Sequence, residues 1–320
     1  MVRNIIFKAP LFIILLICGG FASAQDTSFT TYSAFKKALK MYPYIKIVPE
    51  FVSPNFKEER NLTYCKIGDR DLKLDAFYPV HKRAKDVPAI LIIHGGGWRS
   101  GNKTQHIPLA QHLAALGYAS FTVGYRLSEE ALYPAGVVDV KSALRWVRKN
   151  YKRFKLNPDK ITVLGFSAGG QMAVLAGVTA GHAEFNLACS TNVSDQVQAI
   201  IDIDGTLSFV HPESGEGDDS KKPSAATLWF GASKVDNPAL WNAASPLTYA
   251  GKNTPPILFI NSSVDRMHAG RNDFIKRLDD VKVYAEVHTF PDSPHAFCLF
   301  DPWFTPTVNY IDAFLKKIFK

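Results

Sequence analysis

Short continuous apolar runs alternate along this chain with stretches whose apolar residues recur every three or four positions. "LKLDAFYP" (72–79) alternates as a half-buried strand does, and "AILIIH" (89–94) is a continuous run of the kind found in strands covered on both faces. "QHIPLAQHLAALG" (105–117) has helical spacing, and "ASFTVGYR" (119–126) returns to a strand pattern. Further on, the patterns predict a helix from about Val137 to Phe154, strand "ITVLGF" (161–166), a helix from Ala168 to about Thr179 and strand "VQAIIDID" (197–204). Strand "PPILFIN" (255–261), a helix near Arg271 to Leu278, strand "KVYAEVHTF" (282–290) and a C-terminal helix "TVNYIDAFLKKIF" (307–319) complete the series. Strand and helix alternating at this density predict an α/β fold, a mainly parallel central sheet covered by helices on both faces. Residues 205–250 break the rhythm; rich in Gly, Ser, Pro and acidic residues ("HPESGEGDDSKKPS"), they read as an irregular insertion before the strand at 255–261. In such folds insertions sit near strand ends, where ligands bind.

One stretch is placed differently. Arg3 and Lys8 precede "APLFIILLICGGF", and Ala22-Ser23-Ala24 follows it as a cleavage site, so residues 1–24 read as a secretory signal. The apolar run is shorter than the roughly 20 residues of a spanning helix. A periplasmic or extracellular protein beginning at Gln25 is expected, with no stable membrane span after cleavage; a lipid anchor at Cys18 is the lesser alternative, since Ile17 is bulky for such a site. The organisation expected is therefore a signal (1–24), an N-terminal segment (25–60) and one catalytic domain (61–320).

With 47% hydrophobic and 21% charged residues among 320, the composition is that of an ordinary globular protein. Loss of Arg3 and Lys8 takes the formal charge from +8 to +6, still basic. Lys141, Arg145, Arg148 or Lys149, and Lys152 recur opposite Val140, Leu144, Val147 and Tyr151, which predicts a solvated basic helix face. No nucleic-acid motif accompanies that charge, whereas attraction to an acidic polysaccharide follows from it. Cys65, Cys189 and Cys298 of the exported chain allow at most one disulfide, and no CxxC or HExxH spacing points to a metal.

The chemistry concentrates in three places. "VLGFSAGGQMAV" (163–174) sets Gly165-Phe166-Ser167-Ala168-Gly169 between a strand and a helix. A nucleophile elbow needs that context, because the turn is so tight that small residues are required two positions before and after the serine. The helix beginning after Ser167 also points N–H groups and a positive dipole end at any oxyanion formed there. "LIIHGGGW" puts Gly95-Gly96-Gly97 after a buried strand, so that the amides of Gly96 and Gly97, with that of Ala168, form the expected oxyanion hole. "HGGG" lacks the lysine of a phosphate loop, and His94, at the head of the turn, reads as structural. A serine needs a base, and the base an orienting acid. His295 ("SPHAF") follows the last strand and Asp265 ("NSSVD") the one before it, which gives the chain order Ser, acid, His. Asp202 and Asp204 are reserve acids, Asp292 lies too near His295, and His268 and His288 read as structural.

These segments together resemble an α/β-hydrolase of the hormone-sensitive-lipase-like and acetylxylan/feruloyl-esterase-like (BD-FAE-type) group. The resemblance runs over roughly residues 60–320, through "LDAFYP", "HGGGW", "YRLSEEALYPAGVVDVKSALRWVRKN", "NPDKITVLGFSAGG" and "SPHAF". It implies Ser167 as nucleophile, His295 as base, Asp265 as acid, an oxyanion hole of Gly96, Gly97 and Ala168, and no cofactor. Phe166 stands where lipase-like members carry Asp, as in the carbohydrate-esterase branch, and Asn261-Ser262-Ser263 replaces the more usual glycine ahead of the acid. The expectation is a secreted serine esterase of plant polysaccharide, foremost a carbohydrate O-acetylesterase on xylan or pectin, with pectin methylesterase or feruloyl esterase as the alternative. A formamidase-like amide hydrolase and a non-catalytic glycan-binding homologue are the further readings. Trp98, Trp229 and Trp241 are candidate sugar-stacking faces.

Overall fold

In a computed structural model of the chain, which describes residues 29–80 and 86–320, each predicted strand joins one twisted sheet. The expected signal and the Cys18 anchor lie outside the described residues. The strands are β1 (Lys46–Ile47), β2 (Phe56–Ile67), β3 (Arg70–Pro79), β4 (Val87–Ile93), β5 (Ala119–Val123), β6 (Leu156–Phe166), β7 (Ala199–Ile203), β8 (Ile257–Asn261), β9 (Ala285–Thr289) and β10 (Phe300–Asp301). The helices are α1 (Thr31–Ala38), α2 (Ile107–Ala115), α3 (Ala135–Lys149), α4 (Tyr151–Phe154), α5 (Ala168–Val178), α6 (Ala225–Phe230), α7 (Pro238–Ala243), α8 (Arg271–Asp280) and α9 (Phe304–Ile318). The main sheet runs β2-β3-β5-β4-β6-β7-β8-β9, antiparallel across β2, β3 and β5 and parallel from β5 onward.

The apolar runs are continuous because the central strands are buried on both sides. Leu91, Ile93, Val163, Ile200 and Phe259 pack with Val140, Leu144 and Met172 of α3 and α5. Ile90, Ile92, Leu164, Ile201 and Ile260 face the other way, onto Leu109 and Leu113 of α2 and Ile311 and Phe314 of α9. This alternation puts every second residue of a run into a different core. The second core also takes in Ala38, Ile45, Val48 and Phe56, so residues 29–56 wrap the domain; β1 pairs with β10 at its far end.

The structure departs from the sequence reading in four places. The edge strand β2, "FKEERNLTYCKI", has largely exposed charged positions and so carries no apolar signal. The helix expected over 137–154 divides at Asn150 into α3 and α4. The insertion at 205–250 is not wholly irregular: it contains α6 and α7, which bury Trp229 and Trp241. The basic helix face is not solvated throughout, for Lys141 and Arg145 are fully buried. Lys141 Nζ donates to Asp195 Oδ2 at 2.8 Å and to the Thr179 carbonyl at 2.6 Å, while Arg145 reaches the same carboxylate at 3.2 Å. Arg148 donates to the carbonyls of Ser194, Gln196 and Pro158. These cations clamp the segment between α5 and β7 to the body of the fold.

The same segment is tied covalently. Cys65 of β2 and Cys189, 124 residues apart, form a disulfide, and Cys298 is free and buried. Closing a loop of that length removes denatured-chain entropy worth about 5 kcal/mol in the chain-entropy account. The double substitution C65S/C189S should lower the unfolding free energy by about 3–5 kcal/mol in urea titration, and dithiothreitol should do the same to the native chain but not to the double variant.

Candidate active site

Ser167 sits between β6 and α5 with φ 57° and ψ −122°, a backbone state that is strained for a non-glycine residue. Its flanks make that turn possible. A Cβ on Gly169 would lie 2.3 Å from the Ile93 carbonyl oxygen, and one on Gly165 would lie 1.9 Å from that of Gly169. Only glycine allows the elbow to press this closely on the end of β4. The Ser167 amide donates to the Ile203 carbonyl at 2.8 Å, which fixes the elbow to β7 as well.

Three side chains meet at this turn. His295 Nε2 is 2.8 Å from Ser167 Oγ, and His295 Nδ1 is 2.8 Å from Asp204 Oδ2. The Asp204 side chain is 0% exposed and that of His295 24%. Asp204 Oδ1 accepts from the Ser262 amide at 2.7 Å, so the carboxylate is oriented from both sides. The Phe166 ring lies 4.9 Å from the His295 ring and is fully buried, which gives the imidazole an apolar wall. Asp204 also has positive φ, 54°, as does Trp98 at 59°, so three strained non-glycine residues gather around one cleft.

The acid expected from sequence is not the one against the histidine. Beyond β8 the chain turns at Ser262, whose amide is held by Asp204, and carries Asp265 outward into a short 3-10 helix, Asp265–His268. There the Asp265 side chain is 94% exposed and 3.9 Å from His268 Nε2. Asp204 follows β7 directly, one strand nearer to Ser167. Asp202, the other reserve, is fully buried and accepts from the Gly205 amide; burial and the neighbouring Asp204 charge raise its pKa well above the usual range and favour the neutral acid. The signal that favoured Asp204 was its place immediately past an apolar strand, which Asp265, four residues past its own strand, lacks.

The glycine turn lies opposite the elbow. The Gly95 amide donates to Gln105 Oε1 at 2.8 Å, whereas the amides of Gly96, Gly97 and Ala168 meet no acceptor among the described residues. Gly96 and Gly97 have φ 127° and 61°, and the Gly96 carbonyl turns away to accept from Arg99 and Ser100. All three free amides border a 370 Å³ cleft that is also lined by Ser167, His295 and Trp98. Of the three expected sugar-stacking rings, only Trp98 lines this cleft, and at 4% exposure it too is largely buried. Trp229 stacks behind it at 4.9 Å and 8°, and Trp241 donates to the Ala232 carbonyl; both are core residues because α6 and α7 fold them inward. Trp98 Nε1 donates to Gln171 Oε1 at 3.0 Å, which locks the indole plane.

The remaining histidines are elsewhere. His288 pairs with Glu286 at 2.7 Å and stacks on Tyr310. His94 stacks on Tyr125 at 4.3 Å with Nδ1 2.9 Å from the Gly95 carbonyl, so its proton there braces the glycine turn. Among the described residues, no group of three or more His, Cys, Asp or Glu side chains could hold a metal ion.

The strand order and the strand-elbow-helix arrangement are those of the α/β-hydrolase fold, and the chain belongs to the BD-FAE family, whose model matches residues 74–269. It is 30% identical over 240 residues to esterase LipQ of Mycobacterium tuberculosis, covering 72% of this chain and 56% of that protein. To esterase LipC of the same organism it is 28% identical over 77% of this chain and 62% of the other. The chain thus spans a little over half the length of these curated relatives. Among solved structures, a truncated carbohydrate esterase from gut microbiota superposes with a TM-score of 0.69 at 22% identity, over 84% of this chain and 100% of that one. The butyrate-bound esterase 2 of Thermogutta terrifontis gives 0.66 at 25% identity, over 83% and 95%.

Two buried histidines set the acid limit of this site. Desolvation lowers His94 to about 4 and His106, whose ring nitrogens have no hydrogen-bond partner among the described residues, to about 3. With pKa values depressed below 6.5 in the fold, the unfolded chain binds these protons first, so stability present above pH 6.5 is lost as pH falls toward 4. Urea unfolding at pH 5 should show a loss of about 4 kcal/mol relative to pH 7 from the two groups together. A His106→Asn variant should show a shallower decline over the same range.

Proposed function

We propose that this protein is an exported serine carboxylic-ester hydrolase that removes short acyl groups, foremost acetyl, from esterified plant polysaccharide or its oligosaccharides. The observation that carries this reading is the continuous Asp204–His295–Ser167 relay, 2.8 Å at each step, beside three unengaged backbone amides. Ser167 Oγ attacks the ester carbonyl while His295 Nε2 takes its proton, and Asp204 holds Nδ1–H and stabilises the imidazolium. The carbonyl oxygen, now an oxyanion, is received by Gly96, Gly97 and Ala168 N–H, and His295 returns the proton to the departing alcohol. Water then attacks the acyl-serine by the same exchange in reverse.

The names of the similar proteins support the ester class, and a carbohydrate esterase among the solved neighbours supports the sugar. A bifunctional GH43-CE protein of Bacteroides eggerthii, TM-score 0.68 at 23% identity, points the same way. The butyrate-bound neighbour supports a short acyl group. Export is supported by the pattern of residues 1–24 and by the Cys65–Cys189 disulfide, a bond that persists in oxidising compartments.

Acetate release from acetylated xylo-oligosaccharide and from p-nitrophenyl acetate tests the reading. S167A should lose about a thousandfold or more of kcat, and D204N about a hundredfold or more, on both substrates. D265N should stay within about threefold of the native chain. Equal losses in D265N and D204N would return the acid role to Asp265, and an unimpaired S167A would end the hydrolase reading.

A further inference from the structure

The mouth of the cleft is built from elements distant in sequence, and its charges are uneven. Lys37 of α1, Arg99 after the glycine turn and Arg266 of the 3-10 helix all line it with Ser167 and His295. Two carboxylates lie among the lining residues. Asp204 is fully buried and held by His295, and Glu216 spends Oε2 on the Ala226 amide at 2.9 Å. Arg99 shares its charge with Glu129 at 3.4 Å. Lys37 and Arg266 have no carboxylate partner among the described residues; the Arg266 side chain lies over Gly215, and the adjacent Asp265 carboxylate turns to His268. Both are exposed, one contributed by the N-terminal segment and the other by the loop after β8.

Resting on the esterase reading above, we infer that the substrate carries a free carboxylate, read by Arg266 and Lys37 at the cleft mouth. An ester of a uronic-acid-bearing glycan meets this description. Arg266 supplies a planar fork suited to a carboxylate and Lys37 a mobile point charge. At exposed positions such charges act mainly on capture of the substrate and are screened by salt. A carboxylate can enter from the alcohol side of the ester or from its acyl side, and the same two cations would serve either.

The test compares kcat/KM of the full chain on acetylated oligogalacturonate, acetylated xylo-oligosaccharide, p-nitrophenyl acetate and p-nitrophenyl hemisuccinate. The first places the carboxylate in the alcohol part and the last in the acyl part. The inference expects the acidic member of a pair to exceed its neutral counterpart by about tenfold at low salt, with most of the difference in KM. In R266Q/K37Q that ratio should fall to near one, and 0.3 M NaCl should reduce it in the native chain. Preference for the galacturonate or for the hemisuccinate supports the inference and assigns the side. Equal values within both pairs, or a preference that R266Q/K37Q retains, overturns it. Absence of cleavage of p-nitrophenyl acetate by the native chain would instead overturn the esterase reading beneath it.

Discussion

The close approach of the 165–169 turn to the end of β4 is the contact on which the site depends. With Gly169 against the Ile93 carbonyl and Gly165 against Gly169, the elbow stands directly over the strand that leads into Gly95-Gly96-Gly97. One contact thereby brings the serine hydroxyl and the free amides of Gly96 and Gly97 to the same place, although they are about seventy residues apart in sequence. It also forces Ser167 into a left-handed conformation that the surrounding sheet must maintain. The large two-sided core is what makes such strain sustainable, since the packing that would have to relax involves both faces of β4 and β6.

The second constraint is electrostatic. The carboxylate facing His295 lies where water does not reach, beside Asp202, a second carboxyl that burial favours as the neutral acid. The Ser262 amide donates to the other oxygen of the carboxylate that faces His295. The Asn261 side-chain amide and the Ser262 backbone amide both donate to Asp204 Oδ1, so this turn orients an acid that follows the preceding strand rather than presenting one of its own.

Much of this was legible in the chain. A continuous apolar run followed by G-x-S-x-G and a helical stretch can be satisfied by few local structures, and the glycines after "LIIH" are equally constrained. What failed to show was set by contacts between distant segments. Nothing in the spacing of Lys141 and Arg145 reveals that Asp195 will meet them, so a buried clamp looks the same as a solvated stripe. Trp229 and Trp241 are indistinguishable by composition from binding rings until α6 and α7 decide which way they face. The choice between Asp204 and Asp265 turned on how soon after the apolar run each acid comes, and the run alone does not say that the residues after Ser262 turn outward.

The N-terminal segment is part of the cleft wall and not merely a leader to the domain. The Phe29 ring stands 6.4 Å from that of Phe166, and eight residues later Lys37 reaches the same opening. Phe29 and Lys37 therefore border the opening that also holds the reacting serine. Substitution of Phe29 or Lys37 alters the surroundings of the chemistry as directly as a change in the elbow itself, because both stand at the entrance through which substrate must pass.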